Sequence, residues 1–309
     1  MCPDLPSASR LNLEGDDGME KIAVIGAGAM GRQIALQCAL SGLKVRLHDS
    51  RAEGLKEATE FIHQYLEGRV VKKRITDEEM SAALRNLDFS IELADAVTGS
   101  ELVIEAIVEK FEPKAELFRR LDGLCPPQTI FGTNSSNIRG SRLAEISKRP
   151  ERVLNIHFFN PALVMELVEI VVHPAVPTDV IETVVAFCRK IGKIPVVLRK
   201  EIPGFIVNRI YRALTREAVS LLEEGYASAE DIDLAVTKGL GHPMGPLSLM
   251  DATGVDVSYL ARQDEYEETG IESARPNRLL KEMYERGDWG KKTGKGFYAY
   301  PRDEGKQKA

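Results

Sequence analysis

The chain has 309 residues, 43% of them hydrophobic and 28% charged, with a formal net charge of −6. That length allows two domains with cores of their own. The acidic balance argues against a general nucleic-acid binder, which needs a basic face, and leaves room only for a local basic patch on a phosphorylated ligand. No stretch approaches the roughly 20 consecutive apolar residues of a membrane span.

Cys2, Cys38, Cys125 and Cys188 form no CxxC pair. Reduced thiols in a reducing compartment, most of them buried as small apolar residues, are the simplest reading, and no metal site is expected. Residues 1–18 are polar and acidic, without the apolar core of a signal peptide or the basic character of a transit peptide. They are expected to be a disordered leader on a cytoplasmic protein, with the mitochondrial matrix as the alternative for a eukaryotic source.

Lys21–Ile25 is a short apolar run that predicts a buried strand, and the loop Gly26-Ala27-Gly28-Ala29-Met30-Gly31 follows it. Met30, Ile34, Leu36, Cys38 and Leu40 then lie among small residues, which predicts a helix over 29–42 packed tightly on a sheet. Lys44–His48 reads as the next strand, ending at Asp49, with a long charged helix from about 52 to 74. Thr76-Asp-Glu-Glu79 is a capping-box pattern opening another helix. Leu102–Ile104 and Thr129–Phe131 predict two further strands around a helix at 111–123. This alternation implies an α/β unit: a mostly parallel Rossmann-type sheet with helices on both faces. Val153–His157 and Leu167–Val171 read as strands, 178–191 as an amphipathic helix, and Ile194–Leu198 as a last strand.

After about residue 200 the pattern changes. Ile210, Leu214, Ala218, Leu221 and Leu222 recur at helical spacing, Ser228-Ala-Glu-Asp231 caps another helix, and 246–266 and 276–286 are helical. The expected division is a leader at 1–18, a dinucleotide-binding domain at 19–201 and an all-α domain at 202–309, joined at Ile202-Pro-Gly204.

The spacing GxGxxG is weak alone, but here it sits between a strand and a helix. Gly26 permits the tight turn, Gly28 lets the backbone approach a pyrophosphate, and Gly31 lets helix and strand pack closely. Phosphates would lie against the helix N-terminus. Asp49 ends the second strand 18 residues past Gly31, near the roughly 20-residue spacing of a ribose-binding acid. A carboxylate there accepts from a 2′-hydroxyl and repels a 2′-phosphate. It points to NAD, and Arg51 nearby leaves NADP as the lesser alternative.

His157 and Glu169 lie on successive predicted strands whose connection contains Pro161. An antiparallel pairing would bring them face to face, the carboxylate fixing the tautomer and leaving the second nitrogen free for proton exchange with a substrate hydroxyl. The residues alone leave two readings open: a satisfied core histidine, or an acid/base.

Seven motifs in order bear on that choice: the Gly26–Gly31 loop, Glu105-Ala-Ile-Val-Glu109, Thr133-Asn-Ser-Ser136, His157-Phe-Phe-Asn-Pro161, Pro203-Gly-Phe-Ile-Val-Asn-Arg209, Gly239-Leu-Gly-His-Pro-Met-Gly-Pro246 and Gly290-Lys-Lys-Thr-Gly-Lys-Gly-Phe-Tyr298. From Lys21 to about Tyr300 the chain resembles the L-3-hydroxyacyl-CoA dehydrogenase family, stand-alone form. The resemblance implies NAD-dependent, reversible oxidation of an (S)-3-hydroxyacyl-CoA, with His157 as acid/base, Glu169 as its partner, and Ser136 and Asn208 at the substrate.

It also implies cofactor contacts from Gly26, Gly28, Ala29, Met30, Gly31, Asp49, Glu109, Lys114, Ser136 and Asn160. CoA contacts are implied for the helix after Asp49, through Lys72. Tyr65 stands where the family has a small polar residue, a departure that touches the detail of CoA binding. A homodimer through the helical domain is the family's habit. The alternatives are a dehydrogenase of free hydroxy acids of the gulonate or carnitine type, which His173-Pro174 and Glu223-Glu-Gly225 echo, and an idle NAD-binding structural protein.

Overall fold

The computed structural model describes residues 19–300; the 1–18 leader lies outside the described residues. The chain divides into two compact units, the first ending at Phe205 and the second beginning at Ile206.

The first unit is built on eight strands: β1 (Lys21–Ile25), β2 (Lys44–His48), β3 (Leu87–Ser90), β4 (Leu102–Glu105), β5 (Ile130–Thr133), β6 (Val153–Phe158), β7 (Leu167–Val171) and β8 (Ile194–Leu198). Their order is β3-β2-β1-β4-β5-β6-β7-β8. Every neighbouring pair is parallel except β6 and β7, which run antiparallel. Seven helices accompany them: α1 (Ala29–Leu40), α2 (Ala52–Val71), α3 (Asp77–Arg85), α4 (Leu93–Val97), α5 (Phe111–Leu124), α6 (Gly140–Ala144) and α7 (Thr178–Lys190).

Side chains alternate across a strand, and β1 divides accordingly. Ile22 and Val24 join one apolar cluster with Ile34, Ile104 and Val184, while Ala23 and Ile25 join another with Val103, Phe118 and Phe131. A sheet buried on both faces explains why its strands read as continuous apolar runs.

The capping box at Thr76 forms in both directions, Thr76 Oγ1 accepting from Glu79 N and Glu79 Oε2 from Thr76 N. The charged helix stops at Val71 rather than near 74, because Lys73 turns into the left-handed region at φ 53°. The strand expected at Thr129–Phe131 runs instead from Ile130 to Thr133.

The second unit contains α8 (Val207–Glu223), α9 (Ala229–Gly239), α10 (Pro246–Thr253), α11 (Val255–Thr269) and α12 (Arg278–Arg286) around Val219, Ile232, Leu247, Met250, Val255 and Leu280. The single helical stretch expected over 246–266 is two helices. Gly254 stands between them at φ 108°, a backbone that no helix can hold. Two buried aspartates organise this unit. Asp233 accepts from Leu247 N, Ser248 N, Ser248 Oγ and Tyr298 Oη, and Asp251 from Phe297 N, Tyr298 N and Tyr300 Oη. Among the described residues, no helix is long and apolar enough to cross a membrane.

Candidate active site

The glycine loop turns from β1 into α1 with two crowded positions and one open one. A Cβ on Gly26 would meet Ala106 O at 2.6 Å, and one on Gly31 would meet Gly26 O at 1.7 Å. A Cβ on Gly28 would meet nothing within 4 Å. The protein's own packing therefore does not require glycine at 28, whereas close approach of a pyrophosphate to the backbone does. Gly28 caps α1 with no side-chain hydrogen bond, and no acidic residue stands in the first turn. Ala29 and Met30 begin that turn, so no side-chain charge within it opposes the attraction of its dipole and N–H groups for an anion. Asp49 follows β2, its Oδ2 accepting from Ala27 N and its Oδ1 from Arg51 N, both at 3.0 Å. The residues present fit a dinucleotide.

Across β4 and β5 lies a buried charged hub. Glu105, at the end of β4 and fully buried, accepts from Lys114 Nζ at 2.5 Å, Thr133 Oγ1 at 2.6 Å and Ile107 N at 2.8 Å. Lys114 is 1% exposed, and its ammonium also reaches Glu109 Oε2 at 3.2 Å. Glu109 Oε1 in turn accepts from Ser135 Oγ and from the N–H groups of Ser136 and Asn137. Burial pushes the Glu105 carboxyl above its ordinary range against the pull of Lys114 and its other donors. At Glu109 burial acts in the same upward direction, but Lys114 and the serine turn outweigh it and hold the carboxyl below the ordinary range.

That turn aims Ser136 at the imidazole. Ser136 Oγ lies 3.0 Å from His157 Nε2, and His157 Nδ1 lies 2.9 Å from Glu169 Oε2. The antiparallel register places His157 directly opposite Glu169, both buried. In the neutral ring Nδ1–H donates to the carboxylate, and Nε2 accepts from the serine hydroxyl. Two phenyl rings stand edge-on to the imidazole: Phe159 at 4.7 Å and Phe205 at 5.3 Å between centroids.

The structure thus brings His157, Glu169 and Ser136 into one hydrogen-bonded line, with Glu109 and Lys114 behind the serine turn. Asn160 is exposed in the loop after β6. Asn208 belongs to the second unit and is the second residue of α8. Tyr65 is half-buried on α2, stacked on Phe61 and approached by Arg69. It lines a cavity of about 480 Å³ together with Arg69, Leu163, Val164, Glu166 and Lys193. Lys72 is the exposed C-cap residue of α2 and does not line that cavity.

Sequence reasoning placed Glu105, Ser135 and Phe205 inside motifs but gave none of them a role. Glu105 carried a signal, since an acid closing an otherwise apolar strand must find a partner. Phe205 carried none in its spacing.

A sheet of this order with such a loop is a dinucleotide-binding fold, and an imidazole held by a carboxylate is chemically able to serve as the acid/base that an alcohol dehydrogenase needs. The class is that of NAD-dependent oxidoreductases. The chain belongs to the 3-hydroxyacyl-CoA dehydrogenase family: the profile of the family's NAD binding domain matches residues 21–202, and that of its C-terminal domain residues 204–300. It is 39% identical over 282 residues to the 3-hydroxybutyryl-CoA dehydrogenase of Bradyrhizobium diazoefficiens, covering 91% of this chain and 96% of that one. It is 38% identical over 290 residues to the mitochondrial hydroxyacyl-coenzyme A dehydrogenase of Rattus norvegicus, covering 91% of each. The crystal structure of (S)-3-hydroxybutyryl-CoA dehydrogenase from Ralstonia eutropha superposes with a TM-score of 0.86 at 33% identity, covering 92% of this chain and 99% of that one.

Proposed function

We propose that the protein reversibly oxidises (S)-3-hydroxyacyl-CoA of short to medium chain, such as 3-hydroxybutyryl-CoA, to the 3-oxoacyl-CoA with NAD. The observation that carries this reading is the line Glu169–His157–Ser136, with hydrogen bonds of 2.9 and 3.0 Å. In oxidation His157 Nε2 takes the proton of the substrate hydroxyl as C3 releases its hydride. In reduction it returns that proton. Bound NAD supplies the hydride acceptor. Glu169 keeps Nδ1 protonated throughout and neutralises the imidazolium that forms. Proton transfer by a positioned base of this kind contributes about 10²–10⁴-fold. Ser136 holds the reacting oxygen beside Nε2, and Asn208 is the amide assigned to positioning the substrate.

NAD rather than NADP is supported by Asp49, whose carboxylate suits a 2′-hydroxyl and repels a 2′-phosphate. Arg51 does not oppose this, since its Nε lies 3.5 Å from Asp49 Oδ1 and its charge is turned on that same carboxylate. Gly26, Gly28, Ala29, Met30 and Gly31 are assigned to the pyrophosphate, and Glu109 and Asn160 to the rest of the cofactor. Lys114, with its ammonium already between two carboxylates, acts there through Glu109. Tyr65 and Lys72 are assigned to CoA, for which the cavity beside Tyr65 and the guanidinium of Arg69 offer an aromatic face and a cation. We further propose a cytoplasmic homodimer formed by the helical unit, in which self-association would cover exposed apolar side chains such as Ile210, Leu234, Leu240 and Val257, each 54–66% exposed.

NADH consumption with acetoacetyl-CoA, measured beside free acetoacetate and a free sugar acid, tests the reading. Rapid oxidation with the thioester alone is expected. Turnover of a free acid alone would move the chain to the hydroxy-acid branch, and equal rates with NADPH would remove Asp49 as the discriminator.

A further inference from the structure

Phe205 occupies a backbone conformation that its side chain makes costly. It follows Gly204 at φ 74° and itself stands at φ 51°, in the left-handed region that a bulky L residue rarely enters. A glycine at 205 would adopt this turn without strain. The chain instead keeps an aromatic residue there and buries it to 1% exposure. Strain of this sort persists where surrounding structure over-determines it, and it concentrates at functional sites.

What the strained position delivers is a ring against His157. Phe205 packs on Val171 and Leu198, with Val196 and Ile202 beside them. Glu169 and Val171 are two apart on β7 and share a face, and register puts His157 opposite Glu169. Phe205 therefore lies on the sheet face that carries the histidine and its carboxylate. Its ring meets the imidazole edge-on at 65°, and that of Phe159 meets it at 62°.

The hydrogen bonds to Glu169 and Ser136 are made through the two ring nitrogens, whose N–H and lone pair point in the imidazole plane. Hydrogen bonds tolerate tens of degrees of misalignment before they weaken steeply, so they leave the ring some freedom to tilt out of plane. Packing is what removes that freedom. We propose that Phe205 is a positioning residue for catalysis: with Phe159 it fixes the tilt of the His157 imidazole, so that Nε2 points at the substrate oxygen rather than merely near it. This inference rests on the acid/base role proposed for His157. It gives a reason for a bulky side chain at a position suited to glycine.

The test is a set of Phe205 variants assayed with acetoacetyl-CoA and NADH, beside wild type and His157→Gln. Phe205→Leu keeps an apolar side chain of similar bulk but presents no ring edge. Its kcat should fall roughly 10-fold, within the ~10²-fold that ångström-scale misplacement costs, with KM for NADH and the melting temperature near wild type. Phe205→Tyr restores the ring and should return kcat to within about 3-fold of wild type. Wild-type kcat in folded Phe205→Leu, or equal losses in the Leu and Tyr variants, would overturn the proposal while leaving the histidine's role intact. Full turnover by His157→Gln would overturn both. Should the Leu variant fail to fold, Phe159→Leu, at the second ring packed edge-on against the imidazole, reads the same tilt. It should lower kcat without changing KM for NADH, and unchanged kcat there would count against the clamp.

Discussion

His157 and Glu169 face each other across the antiparallel pair β6 and β7, with Nδ1 and Oε2 2.9 Å apart and both side chains buried. Every other strand pair in the sheet is parallel. The one reversal of direction in the sheet therefore falls where the carboxylate must meet the imidazole.

That pair gives the first prediction. His157→Gln should abolish turnover with little change in NADH affinity, read by fluorescence titration. Glu169→Gln keeps the shape of the site but removes the charge that stabilises the imidazolium, and kcat should fall about 10²-fold, the lower end of what a positioned base contributes. Unchanged kcat in either variant would sink the mechanism.

The serine turn carries a pH signature. Glu109 titrates below its ordinary value of 4.5 in the folded protein. A carboxyl lowered by folding adds stability that is fully present above the unfolded value and is lost as pH falls through the folded one. Chemical denaturation of wild type and Glu109→Gln should thus give a constant stability difference from neutral pH down to about 4.5 that shrinks below it. A difference that grows on acidification would contradict the assignment.

In the helical unit, Asp233 accepts from two backbone N–H groups and two hydroxyls. Asp233→Ala would leave buried donors without an acceptor, at a cost on the order of 3 kcal/mol. The loss should appear in thermal or urea unfolding monitored by circular dichroism, and a shift below a few tenths of a kcal/mol would show that water replaces the carboxylate.

The thiols should be inert in the native protein. Burial pushes Cys38 up to about 12 and Cys125 up to about 11, and raises Cys188 as well. In a Cys2→Ser variant, which leaves only these three, a disulfide-exchange reagent at pH 8 should release no chromophore until denaturant is added. Rapid reaction of any one would mean that its surroundings open readily.

Much of this was legible in the sequence because the first unit obeys simple periodicities. Lys21–Ile25 and Lys44–His48 are apolar runs of strand length on either side of a glycine loop, and the capping box at Thr76 forms as its residues dictate. The facing of His157 and Glu169 was readable too, since two short strands joined through Pro161 have few ways to pair. Leu87–Ser90 escaped because it is an edge strand with only Leu87 buried, too little to leave an alternating pattern. The break at Gly254 escaped because a lone glycine costs a helix only about 1 kcal/mol and does not by itself mark an end. Phe205 could not be read at all: its left-handed backbone and its contact with His157 depend on residues far away in the chain.

The three glycines of the cofactor loop answer to different demands. Positions 26 and 31 are closed by the protein's own atoms, whereas 28 is closed by none of them. A descendant of this chain that lost its chemistry but kept its fold would still be held to glycine at 26 and 31, while 28 would be free to drift. On the proposed pyrophosphate contact, position 28 would record whether a lineage still binds the dinucleotide, whereas 26 and 31 record only that it still folds.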